Sequence, residues 1–419
     1  MKLSLEGIKD KGKWEAAGIT LPGYDIEMAA KKAQETPRWA HFGIGNIFRI
    51  FIGSIADGLL EEGELDTALT CVETFDYDVV DKIYRPFDNL GLSVVLNTDG
   101  TRDYKVLGAF GEAVKAQSTD PEQWNRLKEI FASPSLQLVS FTITEKGYAL
   151  TNPEGKYLPY VQADIDNGPD KATGAMGIVT AMLLERYKKG GTPLALVSMD
   201  NCSKNGSLLR SSVMTMTEEW LKKGYVDQGF AGYVEDENQV SFPWTMIDKI
   251  TPRPNPVIAA DLKALGVEDM EPVETSKRTY IAPFVNGENP QYLVIEDHFP
   301  NGRPALEKGK GVYLGSRDTV NKSERMKVTA LLNPVHSAVA PLGVLLGEEY
   351  FATLINQDPK LMKLAKMVAY DEGMPMVPDP GILSPKDFAD ELFQIRFVNE
   401  YLLDTNLRIV TDESQGLGV

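Results

Sequence analysis

Residues 324–337 contain three side chains that together could bind a substrate oxygen and move its proton: Lys327, Asn333 and His336. Their neighbours are largely apolar. Burial disfavours the charged form of an amine, so a desolvated lysine can act as a general base near neutral pH. Asn333 and His336 are three residues apart and share a helix face, where they could hold one substrate oxygen between them. Taken alone, His336 would be assigned a core or capping role.

A second candidate site follows the short apolar run Trp39–Phe42, where a glycine-rich turn leads into a helical pattern. Glycines there permit a tight turn and close approach of backbone N–H groups to a pyrophosphate, and the helix N-terminus adds its positive end. Phe48 replaces the third glycine of the usual fingerprint, and such turns also occur without a ligand. The turn residues assigned to cofactor binding are Gly43, Ile44, Gly45 and Asn46.

Glu73 ends the next β-rich run, at the position where an acid accepts hydrogen bonds from the adenosine ribose of a dinucleotide. It follows Gly45 by 28 residues, rather than by about 20, so the intervening helix must be long. A carboxylate there would repel a 2′-phosphate and therefore favours NAD over NADP. Asp76 could equally hold this role, and either acid could be an ordinary surface acid.

Polar residues also end two later strand candidates. Thr144 and Glu145 follow one of them, and Asp200 and Asn201 follow the other. Open α/β sheets bind ligands outside the C-terminal ends of their strands. Thr144 and Glu145 are therefore assigned to the cofactor. The amide of Asn201 can both donate to and accept from a sugar hydroxyl, whereas Asp200 could equally cap the next helix.

The order of strand, glycine turn, helix and strand is that of a βαβ unit and predicts a parallel sheet. The same order recurs later in the chain. Strands are predicted at Leu136–Thr144 and Leu194–Met199, and helices at Ala172–Lys188 and Gly206–Lys223. This alternation predicts a doubly wound α/β sheet.

The second half of the chain has a different pattern. Prolines are frequent from Thr251 to Pro290, which indicates a passage between domains, and the chain is mostly helical after Asn321. The sequence therefore predicts a Rossmann-type NAD-binding domain over residues 1–280. A mostly α-helical substrate and catalytic domain is predicted over residues 281–419.

The composition excludes several classes of partner. The 419 residues include 43 Lys+Arg and 60 Asp+Glu, a net charge of −17, which argues against a nucleic-acid partner. No signal peptide and no apolar run of about 20 residues is apparent, so a cytoplasmic protein without a membrane partner is expected. Three histidines and two cysteines leave little material for a zinc site, and no metal is expected.

Several motifs follow one another along nearly the whole chain from His41 onward. They are HFGIGNIFR, FTITEKGY, SMDN, TMIDKITP, VIEDHF with GRP, LLNPVHSAVAPLG, RFVNEYLLD and RIVTDES. In identity and order they resemble the motifs of the mannitol dehydrogenase family. These polyol-specific long-chain dehydrogenases and reductases include fructuronate, tagaturonate and mannitol 2-dehydrogenases.

The resemblance implies hydride transfer with NAD or NADH and without a metal. It implies that Lys327 takes the hydroxyl proton in the direction of oxidation. The other catalytic residues would bind and polarise the reacting C–O group, and they are Asn333, His336 and Asn201. Two further residues would lie near the substrate, Asp248 and Arg396, and one arginine would follow the glycine turn, Arg49.

Two departures from the family pattern affect these assignments. The family usually has five steps from lysine to asparagine, whereas Lys327 and Asn333 are six apart. On an ideal helix six steps leave side chains about 120° apart, and nine steps would put Lys327 and His336 on opposite faces. Pro334 fits best at the first position of a new helix, so a break or bulge there is expected. Otherwise the base must be sought elsewhere. The second departure is Phe48, where many relatives carry histidine.

The leading hypothesis is an NAD-dependent oxidoreductase that interconverts a keto-hexuronate and its aldonate, fructuronate and D-mannonate. The turn HFGIGNIFR is nearer to the hexuronate reductases, and Arg396, Arg303 and Lys310 offer cations for a carboxylate, although each could be a salt-bridging surface residue. The alternatives are a mannitol 2-dehydrogenase-like enzyme of polyols and ketoses, or a non-catalytic regulator that binds a nucleotide or sugar. A monomer or weak homo-oligomer is expected.

Overall fold

The computed structural model describes residues 1–416, with side chains described as far as residue 411. The strands, in chain order, are β1 Ile19–Thr20, β2 Trp39–Phe42, β3 Leu69–Glu73, β4 Gly91–Leu96, β5 Arg102–Leu107, β6 Phe110–Lys115, β7 Leu138–Phe141, β8 Leu194–Ser198, β9 Val240–Ser241, β10 Thr245–Asp248, β11 Val273–Glu274, β12 Tyr280–Ile281, β13 Phe284–Gly287, β14 Tyr292–Glu296 and β15 Val312–Gly315.

The α-helices, in chain order, are α1 Lys11–Ala16, α2 Ile26–Glu35, α3 Gly53–Glu61, α4 Pro121–Ala132, α5 Thr144–Tyr148, α6 Pro159–Asn167, α7 Ala175–Lys188, α8 Asn205–Lys223, α9 Gln228–Glu235, α10 Pro256–Ala264, α11 Arg317–Glu324, α12 Leu332–Leu346, α13 Phe351–Gln357, α14 Pro359–Lys366, α15 Pro385–Glu391 and α16 Asn406–Gly416. Wider π-helical turns occupy Phe48–Ile52, Val80–Tyr84, Arg325–Leu331, Met367–Gly373 and Leu392–Arg396. Short 3₁₀ turns occupy Gly7–Lys9, Arg85–Phe87, Pro169–Lys171, Leu306–Lys308 and Met374–Met376.

Six parallel strands form the central sheet in the order β6-β3-β2-β7-β8-β9. Counted along the chain within this sheet, the order is 3-2-1-4-5-6, the order of a doubly wound dinucleotide-binding fold. The strand order reverses between β2 and β7, and ligands of such sheets bind outside the strand ends at that point. Gly43 and Thr142 are the residues that leave these two strands.

Both faces of the sheet are covered, so its central strands are apolar throughout rather than alternating. Every residue of β2, β3, β7 and β8 is buried. Val139 and Leu196 belong to a core shared with α4, α7 and α8. Leu138 and Val197, which point to the opposite face, belong to a core shared with α3 and the turn that precedes it. The predicted doubly wound α/β class is confirmed.

Three smaller sheets flank the central one. Among them, β13 pairs in parallel with β4, and β14 pairs antiparallel with β10 and parallel with β15. Strands that follow residue 280 therefore pair with strands that precede it, and the mostly helical part of the chain begins at Arg317. The division between residues 280 and 281 stays a prediction.

The helical part is built around one long helix. It runs without a break over Arg317–Leu346 and comprises α11, a π-helical turn and α12. By length and composition alone this helix would suffice to cross a membrane. Its side chains Val320, Met326, Val335 and Val339 are buried in the core of the helical part, so packing against other helices accounts for its apolar character.

His41 is a fully buried polar residue of β2, next to the glycine turn. Its Nδ1 lies 2.6 Å from the Ser140 hydroxyl and its Nε2 lies 2.9 Å from the Thr142 hydroxyl. Burial lowers the pKa of His41 to about 3. A histidine in the unfolded chain titrates near 6.5, so between those values only the unfolded state binds the extra proton.

We therefore expect the unfolding free energy to fall as the pH is lowered from about 6.5 towards about 3, with His41 contributing about 1.4 kcal/mol per pH unit. The His41→Gln variant should show a shallower pH dependence. Urea titrations monitored by tryptophan fluorescence at several pH values would measure it. The partly exposed His298 provides the control, because His298→Gln should keep the wild-type slope. An unchanged slope in His41→Gln would contradict the prediction.

Candidate active site

A cavity of about 880 Å³ lies at the C-terminal edge of the central sheet, between the sheet and the helical part. Both parts of the chain contribute to its wall. From the sheet side come Ile47, Thr144, Asp200, Asn201 and Asp248, and from the helical part come Lys327, Leu332 and His336.

The amine of Lys327 is held by three oxygen atoms in the cavity wall. Its Nζ lies 3.1 Å from Asn201 Oδ1, 2.7 Å from the backbone carbonyl of Ile247 and 3.3 Å from Asp248 Oδ1. The expected apolar setting for this lysine is therefore wrong. Its immediate neighbours are polar, because Ile247 and Asp248 end strand β10 beside the helix. Three acceptors match the three donors of an ammonium group.

The π-helical turn Arg325–Leu331 brings Lys327 and His336 to the same side of the long helix. In this turn the backbone N–H of Leu332 donates to the carbonyl of Lys327, five residues earlier, so the turn takes one residue more than an α-helical turn. Leu332 and His336 are then four apart in α12 and share a face. Lys327, Leu332 and His336 accordingly all line the cavity.

A break or bulge was predicted at Pro334, but the irregular turn of the helix lies earlier in the chain, at Arg325–Leu331. The helix widens before Leu332 rather than at Pro334, which lies two residues further along, at the start of α12. Asn333 is one step past Leu332, about 100° further around the helix. It lies three residues before His336 in the same helix, but it is not among the residues that line the cavity, so its role at the substrate stays a prediction.

His336 lies in the cavity wall against aromatic rings. Its ring centroid is 5.0 Å from that of Phe351 and 5.4 Å from that of Phe397. Burial lowers the pKa of His336 to about 3, and the nearby positive charge of Arg396 acts in the same direction. At neutral pH the imidazole is therefore uncharged and presents one donor and one acceptor.

The glycine turn contains two glycines with different reasons for being there. Gly43 has a φ of +89°, and a Cβ at this position would lie 2.3 Å from the carbonyl oxygen of Thr142. The fold itself therefore requires Gly43. A Cβ on Gly45 would meet nothing within 4 Å, and no positive φ demands a glycine there. The space beside Gly45 is thus left open by the protein.

Arg49 is part of the protein interior rather than a free cation beside the turn. Its guanidinium donates to the carbonyl of Ala282 at 2.7 Å and to Asn46 Oδ1 at 2.8 Å, and the residue is 2% exposed. Burial lowers the pKa of Arg49 to about 10. The assignment of Arg49 to the cofactor stays a prediction. These hydrogen bonds connect the glycine turn to the chain near residue 282, and they use both the guanidinium and the side-chain oxygen of Asn46.

Of the two acids considered for the ribose, Glu73 lies beside the glycine turn. Its carboxylate accepts the backbone N–H of Ile44 at 3.4 Å and those of Thr74 and Phe75 at 3.0 Å each. Burial raises the pKa of Glu73, and these N–H groups partly oppose that effect. Asp76 instead accepts the hydroxyl of Thr275 at 2.6 Å, so its carboxylate is engaged elsewhere.

Asp200 positions the end of β7 rather than capping a helix. It accepts the backbone N–H groups of Ile143 and Thr144 at 3.1 Å each and the Tyr148 hydroxyl at 2.5 Å. Helix α8 begins later, at Asn205, so the capping alternative is wrong. These hydrogen bonds stabilise a turn in which the chain leaves the sheet after Phe141, and Thr144 in this turn has a φ of 64°. The predicted strand therefore ends three residues early. Thr144 lines the cavity, whereas the exposed Glu145 does not.

Arg396 belongs to a buried ion cluster behind the cavity wall. It donates to Asp248 Oδ2 at 2.7 Å and, through two nitrogens, to Glu288 at 2.8 and 2.7 Å. Its side chain is 1% exposed, and both acids already neutralise it, so a role for Arg396 at the substrate stays a prediction. Burial alone would raise the pKa of Asp248, but Arg396 and Lys327 lower it below its ordinary value.

The other cations proposed for a substrate carboxylate lie outside the cavity wall. Arg303 is paired with Asp297 at 2.8 Å and with Glu307 at 2.6 Å, and Lys310 donates to Asn289 at 2.8 Å. Neither lines the cavity. Acidic neighbours on its own loop already neutralise Arg303, so its assignment to the substrate, which stays a prediction, gains no support from the cavity lining.

Sequence reasoning missed the loop that follows β10. Residues 249–256 line the cavity together with residues 401–405, whereas their prolines had indicated a passage between domains. The rule that polar residues at strand ends form sites would have found this loop if applied to Asp248. Among the side chains that the structure describes, those of residues 1–411, no group of three or more His, Cys, Asp or Glu is arranged to hold a metal ion.

Comparison with known proteins agrees with this architecture. A model of the mannitol dehydrogenase Rossmann domain matches residues 37–308, and a model of the mannitol dehydrogenase C-terminal domain matches residues 319–418. The chain is 49% identical to the D-mannonate oxidoreductase of Thermotoga maritima over 420 residues, which covers 100% of this chain and 77% of that protein.

Two solved structures are similar over most of the chain. A D-sorbitol dehydrogenase in substrate-free form has a TM-score of 0.80 and 28% identity, covering 96% of this chain and 76% of that one. The Pseudomonas fluorescens mannitol 2-dehydrogenase in ternary complex with NAD and D-mannitol has a TM-score of 0.77 and 26% identity. The match covers 98% of this chain and 76% of that one. With its fold and both domain models matched, the chain belongs to the mannitol dehydrogenase family of oxidoreductases.

Proposed function

We propose that this chain is an NAD-dependent oxidoreductase that interconverts a keto-hexuronate and its aldonate, with fructuronate and D-mannonate as the pair. The observation that carries the proposal is the Lys327 amine, held between Asn201, which follows strand β8 of the dinucleotide-type sheet, and Asp248, which ends strand β10. The choice of a sugar acid is supported by the similarity to a D-mannonate oxidoreductase. A cytoplasmic location, a monomer or weak homo-oligomer, and catalysis without a metal are parts of the same proposal.

The wall residues have complementary tasks in this reaction. Lys327 as an ammonium donates a proton to the substrate oxygen when the ketone is reduced, and as an amine it takes that proton back during oxidation. Uncharged His336 donates a hydrogen bond to the same oxygen and polarises the C–O bond. Asn201 accepts from Lys327 and so orients the amine, which leaves its NH₂ group for a substrate hydroxyl.

The glycine turn fits a dinucleotide. The open space at Gly45 and the strand order at the switch point are what a pyrophosphate requires. Ile44 and Asn46 belong to this turn, Glu73 would accept the ribose hydroxyls, and Thr144 with Glu145 would border the nicotinamide end. Bound NAD supplies the hydride acceptor, and NADH the hydride donor.

Two glycine variants test the cofactor site. We expect Gly45→Ala to fold like the wild type and to bind NADH about tenfold or more weakly, since the new methyl group occupies the open space. The matched variant Gly43→Ala should lose stability instead, because of its positive φ and the clash with Thr142. Thermal unfolding and fluorescence titration with NADH would separate the two effects. Wild-type NADH affinity in Gly45→Ala would contradict this assignment.

A substrate panel tests the reaction. Absorbance of NADH should fall with fructuronate or tagaturonate and change at least tenfold more slowly with fructose. Faster turnover of fructose would replace the proposal with a mannitol 2-dehydrogenase-like activity. Absence of turnover with every ketose, together with measurable NADH binding, would favour the non-catalytic regulator.

A further inference from the structure

The cavity wall contains four cationic side chains, and the charged group of one of them has no partner among the residues that the structure describes. Lys249 donates to the carbonyl of Glu288 at 2.7 Å, Lys327 is held as described above, and Arg408 is paired with Asp404. The guanidinium of Arg253 makes no hydrogen bond or ion pair with another residue in the part of the chain that the structure describes.

We propose that Arg253 binds the substrate carboxylate and so determines the preference for a sugar acid over a neutral ketose. The inference rests on the proposed function. Arg253 is exposed and lines the cavity, which places it at the mouth, where an anionic group arriving from solvent meets it first. A planar guanidinium can pair with a carboxylate through two parallel hydrogen bonds.

The loop that presents Arg253 is stiff. Pro252 and Pro254 flank it, and a residue that precedes proline is confined to extended conformations. The buried Asn286 holds the loop from below, because its Oδ1 accepts the backbone N–H of Asn255 at 3.1 Å and its Nδ2 donates to the carbonyl of Arg253 at 3.4 Å. A preorganised cation loses less entropy on binding than a flexible one.

The same loop connects the anion-binding end of the cavity to the reacting end. It begins directly after Asp248, whose carboxylate contacts Lys327, and reaches Arg253 five residues later. A six-carbon acid whose keto group lies at Lys327 would therefore direct its carboxylate along this loop. Because the chain carries a net charge of −17, an anionic substrate needs such a local cation.

The variant Arg253→Gln tests the inference. We expect the KM for fructuronate to rise about tenfold or more while kcat stays near the wild-type value, because the lost contact is far from the reacting atoms. The catalytic efficiency with fructose should be unchanged, and the wild-type KM for fructuronate should rise with salt more than that of the variant. Arg303→Gln is the matched control and should leave both substrates unaffected.

Two results would overturn the inference while leaving the proposed function in place. One is a KM for fructuronate in Arg253→Gln within twofold of the wild-type value. The other is an equal loss of efficiency with fructuronate and fructose. Failure of the proposed function itself would appear in the wild type, as the absence of NADH oxidation with any hexuronate, and it would overturn the inference as well.

Discussion

Replacing Lys327 with methionine should lower kcat in both directions by about 10²–10⁴, the usual contribution of a positioned proton donor or acceptor. Methionine retains much of the side-chain volume but removes the amine that contacts Asn201 and Asp248. NADH should still bind, because Lys327 belongs to the helical part of the chain and not to the glycine turn. Steady-state assays of hexuronate reduction and aldonate oxidation, with a separate NADH titration, would measure the effect.

The control is Lys322→Met on the same helix. Lys322 is paired with Asp318 at the surface, and its side chain is 40% exposed, so this variant should keep wild-type kinetics. Wild-type rates in Lys327→Met would remove the lysine from the mechanism. A parallel loss of NADH binding and of cooperative unfolding would show instead that the amine is needed for folding.

Replacing Arg396 with methionine should destabilise the protein by about 3–5 kcal/mol, the largest stability effect we expect. The buried carboxylates of Asp248 and Glu288 would lose the guanidinium that neutralises both of them. Because the arginine comes from the helical part and the two acids come from strand ends and the adjoining loop, the variant also weakens the contact between the two parts of the chain. Urea titration would measure the lower midpoint.

Arg303→Met is the comparison for this prediction. Arg303 also pairs with two acids, but both acids are about half exposed, and surface ion pairs contribute about 1 kcal/mol or less. Its midpoint should therefore stay close to that of the wild type. Equal shifts in the two variants would show that the buried cluster adds nothing beyond an ordinary surface pair.

Much of the fold could be predicted from local sequence patterns. Strands and helices are indicated by the spacing of apolar residues, and turns are indicated by glycines with their greater backbone freedom. Both signals depend only on residues that are close together in the sequence. For the same reason Lys327, Asn201 and Asp248, which lie in separate motifs, could each be assigned to the site before their contacts were known. Their catalytic roles stay predictions.

The surroundings of the predicted cations depended on contacts between distant segments. Arg396 and Arg303 are equally ordinary arginines in the sequence, and only the tertiary structure buries the first between two acids and leaves the second on a surface loop. Arg49 likewise found a partner near residue 282. A cation's availability for substrate is a property of its neighbours in space, which local pattern does not contain.

By itself, the sequence determined the order of the βαβ units, the position of the glycine turn and the presence of lysine and histidine near the start of the helical part, because these follow from residue type and spacing along the chain. Only the tertiary structure decided that a wider turn aligns Lys327 with His336 and leaves Asn333 outside the cavity. An extra residue in a helix forms a π-helical turn only where the surrounding core and strand ends pack well against the helix face that results. That is a matter of packing between segments far apart in the chain.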